Sequence, residues 1–152
     1  MNPRQASPAA SNFVKKAESC VLSAYRDSVR SKQWPIGVPT IGWGHTKGVL
    51  MGDVITQERA DALLLEDMRD AVECVDRKVG PETTQNQFDA MVSLVFNIGC
   101  GAFTMSTLLR LFNAGQPAAA AREFVRWIYA GNVALPGLLT RRQAERDLFL
   151  KV

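Results

Sequence analysis

Two carboxylates near the N-terminus have the type and spacing that acid and base chemistry requires. Eight residues separate Glu18 from Asp27, and twelve more separate Asp27 from Thr40. Glu18 falls near the predicted end of a helix, beside Ala17 and Cys20, where the helix dipole and apolar neighbours would raise its carboxyl pKa. A protonated Glu18 and an ionised Asp27 could then divide the acid and base work of glycoside hydrolysis. The alternative is chance, because the chain has 15 acidic residues and most surface carboxylates are only solvated.

The segment that contains Thr40 alternates with period two, which predicts a short strand over Val38–His45. In a strand, Thr40, Gly42 and Gly44 would share one face. Two glycines on that face would let an extended ligand lie against the backbone, so Gly42 and Gly44 are candidate substrate-binding residues. The alternative is that the glycines mark a bulge or a turn.

The chain has one histidine, His45. It has no Ser or Cys partner in a nucleophile elbow and no second ligand at metal-binding spacing, so we predict a structural histidine bonded to a carboxylate. Trp34 lies in the polar stretch "RSKQWPIG" and is a candidate for stacking on a sugar ring, although large aromatic residues are more often in the core.

The elements that must position these residues are mostly helices. Ser7-Pro8 begins a first helix that ends near Glu18 or Cys20. An amphipathic pattern predicts a helix of more than twenty residues over about 56–79, which Gly80-Pro81 ends. Further helix starts are predicted by the capping box at Thr84, by Ser106, by Pro117 for a helix through about Tyr129, and by a capping box at Thr140.

Composition narrows the class of protein. A chain of 152 residues with no linker or repeat is the size of one domain. The net charge of +3 lacks the dense basic patches of nucleic-acid binders. Three widely spaced cysteines predict thiols in a reducing compartment, and the N-terminus has no apolar region typical of a secretory signal. The uncharged stretch Ala90–Leu109 is long enough for a membrane span, but its break at "NIGCG" favours a buried helix followed by a turn.

Taken together, "AESCVLSAYRD", "GVPTIGWGHT", "ITQERADALLLEDM", "QFDAMVSLVFNIGCGAF", "STLLRLFNAG" and "PGLLTRRQAERDLF" resemble the phage-type lysozymes of glycoside hydrolase family 24. The resemblance runs in order from about Phe13 to Phe149. It implies an α+β, mostly helical fold in one catalytic domain, residues 1–152. Within that domain it implies a small β lobe over about 12–55, a connecting helix over about 56–79 and a helical lobe over about 80–152. In the family a Glu, eight residues, an Asp, five residues and a Thr form the catalytic signature. This chain keeps the first spacing but has seven extra residues in the second.

The resemblance implies hydrolysis of the β-1,4 bond between N-acetylmuramic acid and N-acetylglucosamine in peptidoglycan, with inversion. Glu18 would be the general acid, and Asp27 with Thr40 would activate the water. His45 would pair with Asp67. The candidate substrate-binding residues are Gly42, Gly44, Trp34, Asn97 and Arg142, and either Arg141 or Arg142 could lie against Glu18. No cofactor or metal is implied.

The biological role implied is that of a monomeric endolysin that accumulates in the host cytoplasm, does not insert stably in the membrane, and reaches the periplasm and wall through a holin. Two alternatives remain open. A lytic transglycosylase shares the fold and needs the acidic glutamate, but it needs no Asp and Thr pair to activate water. A catalytically silent wall-binding module would keep the fold without the activity.

Overall fold

A computed structural model describes residues 3–28 and 32–152, which form two compact units. One unit is Glu18–Asp67, and the other joins the described residues up to Ala17 with Met68–Val152. In chain order the elements are α1 (Pro8–Ala17), β1 (Val21–Arg26), β2 (Pro39–Gly42), α2 (Gln57–Lys78), α3 (Gln85–Ile98), α4 (Cys100–Thr104), α5 (Thr107–Asn113), α6 (Pro117–Arg122), a 3-10 turn (Phe124–Arg126), β3 (Tyr129–Ala130), β4 (Val133–Ala134) and α7 (Pro136–Leu150). The predicted α+β, mostly helical fold class is confirmed.

The unit of Glu18–Asp67 is built on an antiparallel hairpin of β1 and β2. Tyr25 lies opposite Thr40, and the pairing continues one residue further, where the amide of Asp27 donates to the carbonyl of Val38 at 2.9 Å. On the other side of β1, Ser23 forms a bridge with Val54. The first turns of α2 complete the unit and contribute its buried core, Ala60, Leu63 and Leu64 together with Ile41.

The predicted strand over Val38–His45 is wrong beyond Gly42. The backbones of Ile41 and His45 hydrogen-bond to each other in both directions at 2.9 Å, so the chain reverses over the three residues between them. Gly42 and Gly44 have φ of +64° and +87°, a conformation that side chains with a Cβ rarely adopt. The glycines therefore mark a tight turn, which was the alternative reading of the sequence.

The other unit is helical around α3. The capping box predicted at Thr84 and Gln87 is present, and every residue of α3 from Phe88 to Val95 is buried. Helix α7 packs along α3, and edge-on contacts join Phe149 to Phe112 and Phe124, with ring centroids 5.5 and 5.3 Å apart. Within Ala90–Leu109 the chain forms this buried helix, then turns at Gly99, as predicted. No described helix is long and apolar enough to cross a membrane.

Two predicted helix boundaries in this unit are wrong. The helix that begins at Pro117 ends at Arg122, and a 3-10 turn and the hairpin of β3 and β4 replace the predicted continuation to Tyr129. The last helix begins at Pro136, which occupies its first turn, so Thr140 lies inside α7 and bonds back to the carbonyl of Pro136 instead of capping. Both errors arise because Gly131 and Pro136 are stronger local signals than the polar pattern that we read.

Two of the three cysteines are not thiols, which corrects the sequence prediction. Cys74 of α2 and Cys100 of α4 form a disulfide with their Cα atoms 5.9 Å apart, and Cys20 is free. Sequence spacing could not show this pairing, because the two residues lie on different helices and come together only in the folded chain.

The segment before α1 is tied to the helical unit by side chains. The guanidinium of Arg4 bonds to Asp76 at 2.9 Å and to the carbonyls of Val79 and Gly80 at 3.1 and 3.0 Å, beyond the end of α2. It also lies over the ring of Phe88, 5.2 Å from the centroid. Ser7 donates to the fully buried carboxylate of Asp89 through both its amide and its hydroxyl.

Candidate active site

Glu18 is the first residue after α1, as the sequence predicted, but it is exposed rather than buried. Its neighbour in space is the glycine turn: a Cβ built on Gly44 would lie 3.6 Å from a Glu18 carboxylate oxygen. The absence of a side chain at Gly44 therefore leaves open space directly beside the carboxyl group. That space is available to a substrate.

Asp27 and Thr40 share one face of the hairpin. Thr40 is opposite Tyr25, and the residue opposite Asp27 is Val38, two positions before Thr40. Since residues two apart in a strand point to the same side, the Asp27 and Thr40 side chains are diagonal neighbours, on the order of 7 Å apart. Thr40 is buried, and its hydroxyl donates to the carbonyl of Val38 at 2.9 Å, which leaves its oxygen lone pairs as acceptors.

Tyr25 is a residue of this site that sequence reasoning missed. Partial burial raises the pKa of its phenol, and the negative charges of Asp27 and then Glu18 raise it further. Both carboxylates therefore act electrostatically on Tyr25, which lies opposite Thr40 in the hairpin. The sequence signal that could have identified it is the period-two relation of Tyr25 and Asp27, which puts both side chains on one face if the segment is a strand.

Gly42 does not face open space as predicted. It is buried, and an added Cβ would meet the Cβ of Ala60 at 3.3 Å and Ile55 at 3.4 Å. Gly42 thus allows the turn to pack against α2, whereas Gly44 is the exposed glycine beside Glu18. A direct contact of Gly42 with substrate stays a prediction with no support from this placement.

His45 lies against a carboxylate, as the structural interpretation predicts. Its Nδ1 is 2.9 Å from both oxygens of Asp67, and its Nε2 is 2.9 Å from the carbonyl of Lys47. Because all three partner atoms are acceptors, both bonds form together only when both ring nitrogens carry a proton. The ring therefore links the end of the glycine turn to α2.

A second side chain of the same turn is also held by α2. The indole Nε1 of Trp43 donates to Asp61 Oδ1 at 2.8 Å. Nothing in the sequence pattern identified this contact, because the strand predicted over Val38–His45 ends at Gly42 in the structure.

Trp34, the weak candidate for sugar stacking, lies in a turn in which the amide of Gly37 donates to the Trp34 carbonyl at 3.1 Å. Its side chain is about one-third exposed, with a relative accessibility of 37%. The long connection between Asp27 and Thr40 includes Val29–Ser31, which lie outside the described residues.

Asn97 and Arg142, predicted to bind substrate, are joined in the helical unit. Arg142 Nη1 donates to Asn97 Oδ1 at 2.9 Å. The amide of Asn97 is thereby oriented with its NH₂ free to donate elsewhere. Asn97 lines a groove of about 570 Å³, together with Trp127, Tyr129 and Leu138. Aromatic faces with an oriented amide are suited to a polar ligand with apolar rings.

Arg142 itself is fully buried, and so is Glu145, a residue that sequence reasoning did not select. Glu145 Oε2 accepts from Arg142 at 3.1 Å, from Arg141 at 3.3 Å and from the hydroxyl of Ser93 at 2.5 Å. Burial raises the pKa of Glu145, and the two guanidinium groups oppose that shift. The spacing of "RRQAE", which puts one Glu three and four residues after two Arg, was the available signal.

Metal-binding chemistry has no support in the described part of the chain. No group of three or more His, Cys, Asp or Glu side chains lies close enough together to hold an ion within residues 3–28 and 32–152.

Comparisons with known proteins indicate one family for this chain. Residues 15–145 match the family model described as Phage lysozyme. The chain is 44% identical over 141 residues to the Endolysin of Acyrthosiphon pisum secondary endosymbiont phage 1, which covers 90% of this chain and 92% of that protein. It is 40% identical over 145 residues to the Endolysin of Bacillus phage B103, and it spans about half of that longer protein, 53%. Among solved structures it is similar to the Endolysin from Escherichia coli O157:H7 phage FAHEc1, with a TM-score of 0.87, 35% identity, and coverage of 99% of this chain and 96% of that one.

Proposed function

This chain belongs to the phage lysozyme family and is a phage muramidase for cell lysis, and from that premise we propose that Glu18, Asp27 and Thr40 carry out the hydrolysis. The observation that carries the proposal is that Asp27 and Thr40 are diagonal neighbours on one face of the hairpin, while Glu18 lies beside Gly44 of the turn that follows β2. The family acts on bacterial peptidoglycan.

Glu18 is the proposed general acid. Its carboxyl is exposed, at the C-terminal end of α1, where the helix dipole favours the neutral, protonated form. It lies beside the space left by Gly44, into which a glycosidic oxygen can enter. Transfer of its proton to that oxygen would let the leaving sugar depart as an alcohol.

Asp27 and Thr40 are the proposed water-holding pair. The proton of the Thr40 hydroxyl is used by the carbonyl of Val38, so its oxygen accepts one hydrogen of the water, and Asp27 takes up the other as the bond to the sugar forms. A water held by a hydroxyl and a carboxylate attacks from the face opposite the leaving group. We therefore propose inversion at the anomeric carbon.

The glycan is proposed to be β-1,4-linked N-acetylmuramic acid and N-acetylglucosamine. Its proposed contacts are Gly44 and Trp34 in the unit of Glu18–Asp67, and Asn97 in the helical unit. The groove beside Trp127 and Tyr129 supports a sugar-binding role for Asn97. Arg142 is proposed to act through Asn97, because it is buried and holds the amide in one orientation. The whole chain is proposed to work as one catalytic domain.

In the cell, the enzyme is proposed to act as a monomer on the wall at the end of infection, after a holin admits it from the host cytoplasm. The disulfide adds support for a final compartment that is oxidising, because disulfides persist there and not in the cytosol.

The test uses purified peptidoglycan and two variants. Glu18→Gln keeps the shape of the side chain without the acid, and we expect a loss of activity of about a thousandfold or more in a variant with unchanged melting temperature. Glu58→Gln, at an exposed position of helix α2, is the matched control and should be fully active.

Mass spectrometry of the products separates the alternatives. Reducing ends with an added water support the hydrolase, whereas 1,6-anhydro ends would indicate a lytic transglycosylase. If the parent protein binds peptidoglycan and releases no product, the silent wall-binding alternative replaces the proposal.

A further inference from the structure

Two residues in the first turns of α2, Gln57 and Asp61, form a chain of polar contacts that reaches Trp43 and Cys20. Gln57 Nε2 donates to Asp61 Oδ1 at 3.2 Å, and the same oxygen accepts from the indole of Trp43 at 2.8 Å. Gln57 Nε2 also lies 3.5 Å from the sulfur of Cys20. Trp43 precedes Gly44, and Cys20 comes two residues after Glu18. The contacts of Gln57 and Asp61 therefore reach residues close in sequence to Gly44 and Glu18, the two residues that border the space at the Glu18 carboxyl group.

We propose that Gln57 and Asp61 are positioning residues for the general acid, which act by fixing Gly44 and the Glu18 backbone relative to each other from one rigid helix. The inference rests on the proposed role of Glu18. It assigns a function to two side chains that have no place in the acid and base chemistry.

The local backbone needs such a support. Glu18 is exposed and is the first residue after α1. Gly44 lies in a left-handed turn without a Cβ, and glycine has the largest conformational freedom in the chain. A side-chain bond to Trp43 anchors the middle of this turn, whereas the bond between His45 and Asp67 anchors its end.

The expected effect of losing the support is on the rate and not on the fold. Gln57 is exposed and Asp61 is half-buried, so their hydrogen bonds contribute little to global stability. Displacement of a catalytic group by about 1 Å costs on the order of a hundredfold in rate. A partial release of the turn should therefore lower kcat by roughly tenfold to a hundredfold, with little change in KM.

The experiment measures kcat, KM and the melting temperature on defined muropeptides for Asp61→Ala, Asp61→Asn and Trp43→Phe. Asp61→Ala removes the acceptor, and Trp43→Phe removes the donor but keeps an aromatic ring. Asp61→Asn keeps an acceptor oxygen for the indole and should recover most of the lost kcat. The double variant of Asp61→Ala with Trp43→Phe should be no slower than the slower single variant, because the bond that Trp43→Phe removes is already lost in Asp61→Ala.

Three results would overturn the proposal: full kcat in Asp61→Ala, losses that multiply in the double variant, or a fall in kcat that follows the fraction unfolded at the assay temperature. Failure of the proposed function would look different. In that case Glu18→Gln would keep its activity, whatever the Asp61 variants do.

Discussion

The pair of His45 and Asp67 makes the sharpest prediction about stability. The side chains are 11% and 28% exposed, and Nδ1 lies 2.9 Å from the carboxylate. Breaking a fully buried ion pair costs about 3–5 kcal/mol, whereas an exposed pair contributes about 0–1 kcal/mol. This pair lies between those limits, and His45→Asn also weakens the bond to Lys47. We expect a loss of about 2 kcal/mol in the free energy of unfolding, or roughly 4–8 °C in melting temperature for a chain of this size.

The assay is urea unfolding at neutral pH of His45→Asn, Asp67→Asn and the double variant, with Asp70→Asn as the control. Asp70 is an exposed carboxylate on the same helix. The two single variants should lose similar amounts, and the double variant should lose clearly less than their sum. Because the bond of Trp43 to Asp61 still anchors the middle of the turn, His45→Asn should keep substantial hydrolysis of peptidoglycan at low temperature. If His45→Asn is as stable as Asp70→Asn, or is folded but inactive, the reasoning is refuted.

Two further predictions concern other parts of the chain. Reduction of the bond between Cys74 and Cys100, which are 26 residues apart, should lower the free energy of unfolding by up to about 3.5 kcal/mol, and a Cys74→Ala variant should show no response to reductant. An unchanged melting temperature in reductant would contradict this. The raised pKa of Tyr25 should appear as a tyrosinate transition above the usual pH of about 10, and it should fall in Asp27→Asn. The neutral phenol is favoured in the folded state, so its contribution to stability is complete below about pH 10 and is lost as the pH rises through the folded-state pKa. An unshifted transition in Asp27→Asn would show that the two groups are not close.

Helix ends were predicted well from the sequence where a capping residue begins the helix or a Gly-Pro pair ends it. Thr84 with Gln87 begins α3, Ser106 begins α5, and α2 ends at Lys78, before Gly80. These signals are short-range hydrogen bonds and backbone preferences, so a few residues determine them.

The features that were predicted wrongly or missed depend on contacts between residues that are distant in sequence. The reversal after Gly42 is fixed by packing of that glycine on Ala60, and no pattern within the segment reveals that neighbour. The disulfide and the role of Asp61 are of the same kind, since their partners are 26 and 18 residues away. In the candidate site, sequence identified the acidic residues and the hairpin ends, but the exposure of Glu18 and the place of Tyr25 required the structure.

Because Arg4 and Ser7 are bonded to the helical unit, the segment before α1 is part of the folded structure and is a poor attachment point for a tag. Removal of the chain through Ser7 would uncover one face of Phe88 and leave the buried Asp89 carboxylate with Gln85 as a remaining donor. A fusion partner joined ahead of Arg4 would start from a fixed point on the helical unit. The chain end after α7, where Lys151 and Val152 are exposed, is therefore the better place for a tag or an added targeting module.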